Sequence, residues 1–116
     1  MTSDLRDAVL AVLAVYDEGA TPDRLAAKAA VKATLATLVE IAPGRAVEVR
    51  VPPFAAVQAI GGTTHRRGTP PAVVECDART WLALAAGTLA WDDAVADGRL
   101  RASGERSDLS AHLPLF

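Results

Sequence analysis

The sequence predicts an α+β domain, with a roughly four-stranded sheet covered by an N-terminal helix pair and by further helices near the C-terminus. Three observations carry this reading. Apolar residues recur at helical spacing through the first part of the chain, at Leu5, Val9, Val12 and Tyr16 and again at Leu25, Ala29, Leu35, Leu38 and Ala42. Four later short stretches alternate or run apolar as strands do. Two brief helical patterns, stopped by Gly87 and Gly98, lie between the third and fourth of these stretches.

The first helix is expected to run to about Asp17, with Thr2 or Ser3 as its cap, and Gly19 ends it. Thr21-Pro22-Asp23 reads as a restart, with Thr21 as N-cap and Pro22 in the first helical position. The second helix runs to about Ile41 and stops at Pro43-Gly44. Residues 45–51 form the clearest strand: Val47, Val49 and Val51 share one face, Glu48 and Arg50 the other. Residues 54–60 form a second strand, apolar on both faces and therefore expected to be central. The loop GGTTHRRGTPP leads to a third strand over 72–76. Asp77 caps a short helix bearing Trp81, Leu84 and Ala85, and Trp91, Ala94 and Val95 mark another with Asp92 and Asp93 in its first turn. Residues 99–103 are the fourth strand, a crossover-length connection away from the third. A closing helix is expected over 105–113, before Pro114.

A length of 116 residues and a mass of 12.0 kDa fit one domain, a helical hairpin over 1–43 followed by sheet plus helices over 44–116. The hairpin either completes the domain's own core or docks on a neighbouring protein; the first is favoured, because the remainder alone would bury little. The apolar fraction is 51% but aromatics are only 4%, so small side chains supply the interior. Such a core is either closely packed or incompletely filled. A net charge of −2 argues against nucleic acid and leaves at most transient contact with a membrane. Acidic residues flank the apolar stretch over 10–15, and no run reaches transmembrane length, so a cytoplasmic location is the simplest expectation. Ten arginines against two lysines, with no asparagine, suit a GC-rich bacterial genome.

The order of elements in DARTWLALAAGTLAWDDAVADGRLRASGERSDLSAHLPL resembles the C-terminal half of the sterol carrier protein type-2 fold. The shared features are a helix of W-L-x-L-A-x-G character, a second helix, a glycine-bracketed strand over 98–104 and a closing helix. With RGTPPAVVECDARTW, the chain is similar to the small bacterial, actinobacterial-type branch of that superfamily, over about 44–115. The resemblance implies a non-enzymatic carrier that holds a fatty acyl chain or other apolar small molecule between sheet and helices, with no cofactor. It also implies cavity candidates: Trp81, Leu84 and Leu100, joined by Phe54, Val57 and Ile60 on the second strand and by Leu109, Leu113 and Phe116 at the closing end. Folded back, the apolar tail over 113–116 would make a lid. The alternative is a protein-interaction or homodimerising module with a filled core, since sterol-carrier-like domains also serve as accessory halves of mycothiol-dependent enzymes.

The polar constellations are sparse. Gly61 and Gly62 with His65, Arg66 and Arg67 suit either an anionic head group or a plain solvated loop; the P-loop pattern is missing. Asp108 and His112, four apart with Ser107 and Ser110 nearby, read as a surface ion pair; neither a nucleophile elbow nor an oxyanion hole accompanies them. Asp93 and Asp97 lack further ligands for a metal. Cys76 has no cysteine partner and reads as a buried, inert thiol.

Overall fold

The computed structural model describes residues 2–62, 72–104 and 107–116. Its helices are α1 (Thr2–Asp17), α2 (Arg24–Ile41), α3 (Ala78–Ala86) and α4 (Trp91–Ala96), and its strands are β1 (Val47–Val51), β2 (Ala55–Ala59), β3 (Ala72–Cys76) and β4 (Leu100–Ser103). The strands make one sheet in the order β2-β1-β3-β4. β1 pairs antiparallel with β2 and parallel with β3, and β3 pairs antiparallel with β4.

Alternation decides which face of the sheet is covered. Val47, Val49 and Val51 of β1, Ala72, Val74 and Cys76 of β3, and Leu100 of β4 are buried. The opposite face carries Glu48, Arg50, Gln58, Glu75 and Arg101, with Glu48 and Arg50 in an ion pair. α2 packs on β2 and α3, and α1 lies against α2 and α3. The helices therefore cover one face only, as an α+β domain with a polar outer sheet surface requires.

Among the described residues Trp81 is the largest fully buried side chain, in one core cluster with Leu35, Leu38, Leu82, Leu84 and Leu109. A buried indole needs a partner for its N–H. Trp81 Nε1–H donates to Thr34 Oγ1 (2.8 Å), and the Thr34 hydroxyl in turn lies 2.7 Å from the Ala30 carbonyl, to which it can donate. Among the described residues no buried side-chain nitrogen or oxygen lacks a partner.

Chain reversals follow from local chemistry. Asp23 caps α2 by accepting from the Ala26 N–H (3.0 Å), two residues after the expected cap at Thr21. Beyond α2, the Ile60 N–H donates to the Ala42 carbonyl (2.7 Å) and the Ala46 N–H to the Ile60 carbonyl (3.0 Å). Gly44 lies between these bonds at φ +148°, and a Cβ there would stand 2.1 Å from the Ile60 oxygen, so only glycine fits. The Phe54 N–H closes the β1–β2 turn on the Val51 carbonyl, and the Arg24 guanidinium sits 5.7 Å from the centre of the Phe54 ring.

Beyond the shifted α2 cap, four expectations are corrected. β2 is an edge strand, not a central one: its two-sided apolarity comes mostly from alanine, which demands no covering layer. The fourth strand adds antiparallel to β3 despite two intervening helices, and the parallel pair is β1–β3, with the β1–β2 hairpin inside the connection. Leu25 and Ala29 of α2 face outward, Leu25 with 74% exposure, because the inward stripe is Ala27, Ala30, Val31, Thr34, Leu35 and Leu38. In place of a closing helix there is one 3-10 turn, Ser110–His112, preceded by local bonds from the Ser110 N–H to Asp108 Oδ1 (2.8 Å) and from the Ser107 hydroxyl to the Gly104 carbonyl. Such short-range bonds compete with helix formation. The side chains of Thr2 and Ser3, and residues 105 and 106, lie outside the described residues.

The Trp81–Thr34 bond yields a test. Thr34→Val leaves the indole N–H buried without an acceptor and should cost about 1–3 kcal/mol. The loss should shrink when Trp81→Phe has already removed the donor. Urea denaturation of the wild type, both single variants and the double variant measures this coupling, and strict additivity would show that the bond contributes nothing.

Candidate functional site

The candidate site is organised by the end of α3. Asp77 Oδ1 accepts from the Thr80 N–H (2.8 Å) and fixes where the helix begins. Gly87 ends it in the left-handed conformation at φ +83°. The Thr88 and Leu89 N–H groups both donate to the Ala83 carbonyl (3.0 and 3.3 Å), folding the chain over the helix end. Leu89 is thereby held half-buried between two hollows.

The first hollow has a volume of about 290 Å³ and is lined mainly by Leu84, Leu89, Trp91, Leu113 and Pro114. Its roof is the tail. Leu109 is fully buried, and the Leu115 N–H donates to the Ala85 carbonyl (2.9 Å). Leu113, Leu115 and Phe116 pack half-buried against the core. The tail thus folds back over α3, a geometry available to a lid.

The second hollow, about 590 Å³, opens between α1 and α3. Leu10, Leu13, Ala83 and Leu89 supply its apolar lining, and Asp17, Asp77, Arg79 and Arg99 its charges. Arg79 pairs with Asp17 (3.0 Å) and approaches the Tyr16 ring (6.0 Å), while Arg99 pairs with Asp97 (2.8 Å). These pairs are more than half or nearly half exposed, so they hold the side chains in place without contributing much stability. Burial, and then the Asp77 charge, raise the Tyr16 phenol above its ordinary value. The arrangement pairs apolar walls with guanidinium groups that can exchange a carboxylate partner for an anionic ligand.

Further grooves lie elsewhere among the described residues. One, about 570 Å³ between α1 and α2, is lined almost wholly by apolar side chains. Another, about 310 Å³, lies at the β1–β2 turn beside Phe54, Arg50 and Glu75.

The cavity candidates named from sequence are spread over these features. Leu84 and Leu113 meet in the hollow under the tail. Trp81, Leu100 and Leu109 are in the packed interior, with at most 4% exposure. Phe116 is half-buried in the tail, and Phe54, Val57 and Ile60 are half-buried in and beside the edge strand β2, which β1 and β3 separate from β4. His65, Arg66 and Arg67 lie outside the described residues. Sequence reasoning passed over Leu89, Arg79 and Arg99, which lie apart in the chain and meet only at the hollow between α1 and α3.

The remaining polar candidates are occupied otherwise. Asp108 makes no ion pair with His112 among the described residues; hydrogen bonds from Ser110 hold its carboxyl below the ordinary range. Among the described residues no group of three or more His, Cys, Asp or Glu side chains is placed to hold a metal. No helix of the described residues is long and apolar enough to cross a membrane.

A protein-family model described as bacterial SCP ortholog matches residues 23–115, from the cap of α2 to the tail, leaving α1 outside the match. No curated protein matches the chain.

Cys76 is 5% exposed, and burial, followed by the charges of Asp77 and Glu75, pushes its thiol up to about 12. Aromatic disulfide reagents at mildly alkaline pH should therefore label it only after denaturation. Because the folded value lies above the ordinary 9.0, this contribution to stability is intact below about pH 9 and is lost as pH rises toward about 12. Cys76→Ala should flatten that alkaline slope in denaturation curves; an unchanged slope would place its origin elsewhere.

Proposed function

Since the chain belongs to the bacterial SCP ortholog family of sterol-carrier-like proteins, we propose that it binds an apolar small molecule, such as a fatty acyl chain, without covalent chemistry and acts as its carrier. The observation that carries this reading is the pair of hollows meeting at Leu89, one apolar and tail-roofed, the other rimmed by Arg79 and Arg99. Both volumes are close to or within the roughly 300–1,000 Å³ of small-molecule sites. The hydrocarbon end lies against Leu84, Leu89, Trp91 and Leu113, and the polar end turns toward the two arginines.

Binding is driven by removal of apolar area from water, at about 25 cal/mol per Å². A chain burying roughly 300 Å² gains about 7 kcal/mol, most of which the loss of translational and rotational freedom offsets. The balance suits a carrier, which must also release its cargo. The backbone hydrogen bond from the Leu115 N–H to the Ala85 carbonyl and the half-buried tail side chains hold the roof closed. Lifting the tail would widen the hollow to include Leu109 and Phe116, while Trp81 and Leu100 remain as packed support. Phe54, Val57 and Ile60 receive no direct contact in this pose. A second reading, a protein-interaction or dimerising module, draws support from the apolar groove between α1 and α2.

The carrier reading predicts lipid released by denaturing extraction of native protein and detected by mass spectrometry. A fluorescent fatty acid should bind, and Leu89→Asp, at a half-buried position, should weaken it at least about tenfold with helical content retained. Arg99→Gln should weaken a long-chain carboxylate but leave the alcohol of equal length unchanged. Leu84→Ala should lower the melting temperature of ligand-free protein, and fatty acid should recover less of that loss than it adds to wild type. Absence of both extracted lipid and probe binding would overturn the reading.

A further inference from the structure

The groove between α1 and α2 has a chemistry of its own. Leu5, Ala8, Val12 and Val15 line it from α1, and Ala26, Ala29, Ala30 and Ala33 from α2, with Pro22 at one end. The stripes repeat at three- and four-residue spacing along both helices, so a further helix can lie along them. Leu25, one turn before Ala29, stands 74% exposed on the outer rim of α2. The groove and the exposed Leu25 beside it form one continuous apolar strip along the hairpin.

Charge identifies the partner. α1 carries Asp4, Asp7 and Asp17 against Arg6 alone, whereas α2 carries Arg24, Lys28 and Lys32 against Glu40 alone. Asp4 and Asp7 lie one turn before Ala8 and Ala11 on the α1 rim, and Lys32 follows Ala29 on the α2 rim. All three are exposed, and none of their side chains makes an ion pair or hydrogen bond among the described residues. The groove thus has an acidic wall and a basic wall, and a two-fold axis along it brings each wall onto its opposite.

We infer that this groove is a self-association surface: two copies pack their α1–α2 hairpins face to face as an antiparallel four-helix bundle, α1 of each copy over α2 of the other. The small side chains let the backbones approach closely, and Leu25 of each copy is covered by α1 of its partner. Helices of 16 and 18 residues are about 25 Å long at about 1.5 Å per residue, and a pair about 10 Å apart offers a footprint on the order of 500 Å². That is the scale of smaller specific interfaces, so the dimer dissociates on dilution. The surface is separate from the hollows at Leu89, and either proposal can fail without the other.

Sedimentation equilibrium of the full chain tests this. The wild type should approach twice its 12.0 kDa mass at concentrations on the order of 100 μM and return toward the monomer on dilution. Ala33→Glu, at an exposed helical position, should abolish the dimer with the circular dichroism spectrum and melting cooperativity retained; Ala29→Arg is the second variant should that one unfold. Asp7→Lys and Lys32→Glu should each weaken association about tenfold, and the double variant should restore it. A monomer throughout the concentration range, or a dimer indifferent to Ala33→Glu and Ala29→Arg, overturns the inference. So does failure of the double variant to recover, which rejects the α1-over-α2 pairing. A monomer that binds fluorescent fatty acid, and loses it in Ala33→Glu, would assign the groove to a small apolar ligand instead.

Discussion

The indole N–H of Trp81, buried and answered by the Thr34 hydroxyl, ties α3 to α2 inside the core. Little else in this core is directional. Valine, leucine and alanine fill it, and such side chains tolerate sliding and rotation far better than a hydrogen-bonded ring does. The bond from the Trp81 indole to the Thr34 hydroxyl favours one rotation of α3 about its axis. That rotation sends Leu82 and Leu84 inward and leaves the Ala83 carbonyl to accept from the Thr88 and Leu89 N–H groups.

The candidate site depends on this placement. α3 is fixed by its aspartate cap at one end and its left-handed glycine at the other, and the chain beyond Gly87 has no freedom to leave the helix end before Leu89 is in position. The two hollows are by-products of covering one helix with three unlike neighbours: α1 on one side, α4 at the end and the C-terminal tail above. None of these is wide enough to close the space at Leu89 completely. An interior built mainly on small side chains retains that room, where bulkier residues would fill it.

Much of the fold was legible because its signals are local. The valine alternation of β1, the Asp77 cap and the Gly87 stop each depend on neighbours in sequence, and each is where the pattern put it. The misreadings share a cause. In α2 so many residues are alanine that the apolar stripe has little contrast, and Leu25 and Ala29 were assigned to the wrong face. In β2 alanine on both faces imitated a central strand. At the C-terminus, Asp108 and the serines around it form turns of their own before a helix can nucleate. Of the side chains lining the candidate hollows, Leu84 and Leu113 stand out in the chain itself, whereas Arg79, Leu89 and Arg99 converge through tertiary packing that leaves no sequence spacing to find.

The edge position of β2 has a consequence for solubility. An outer strand with the composition AAVQA carries no charge to repel a stray strand, and unpaired backbone there is an invitation to sheet growth. The protection is brevity. Two prolines precede the strand and Ile60, in a left-handed conformation, follows it, so an intruder finds only five residues to zip against. That is too short a template for a fibril to nucleate readily, and lengthening this strand by replacing either proline would remove the safeguard.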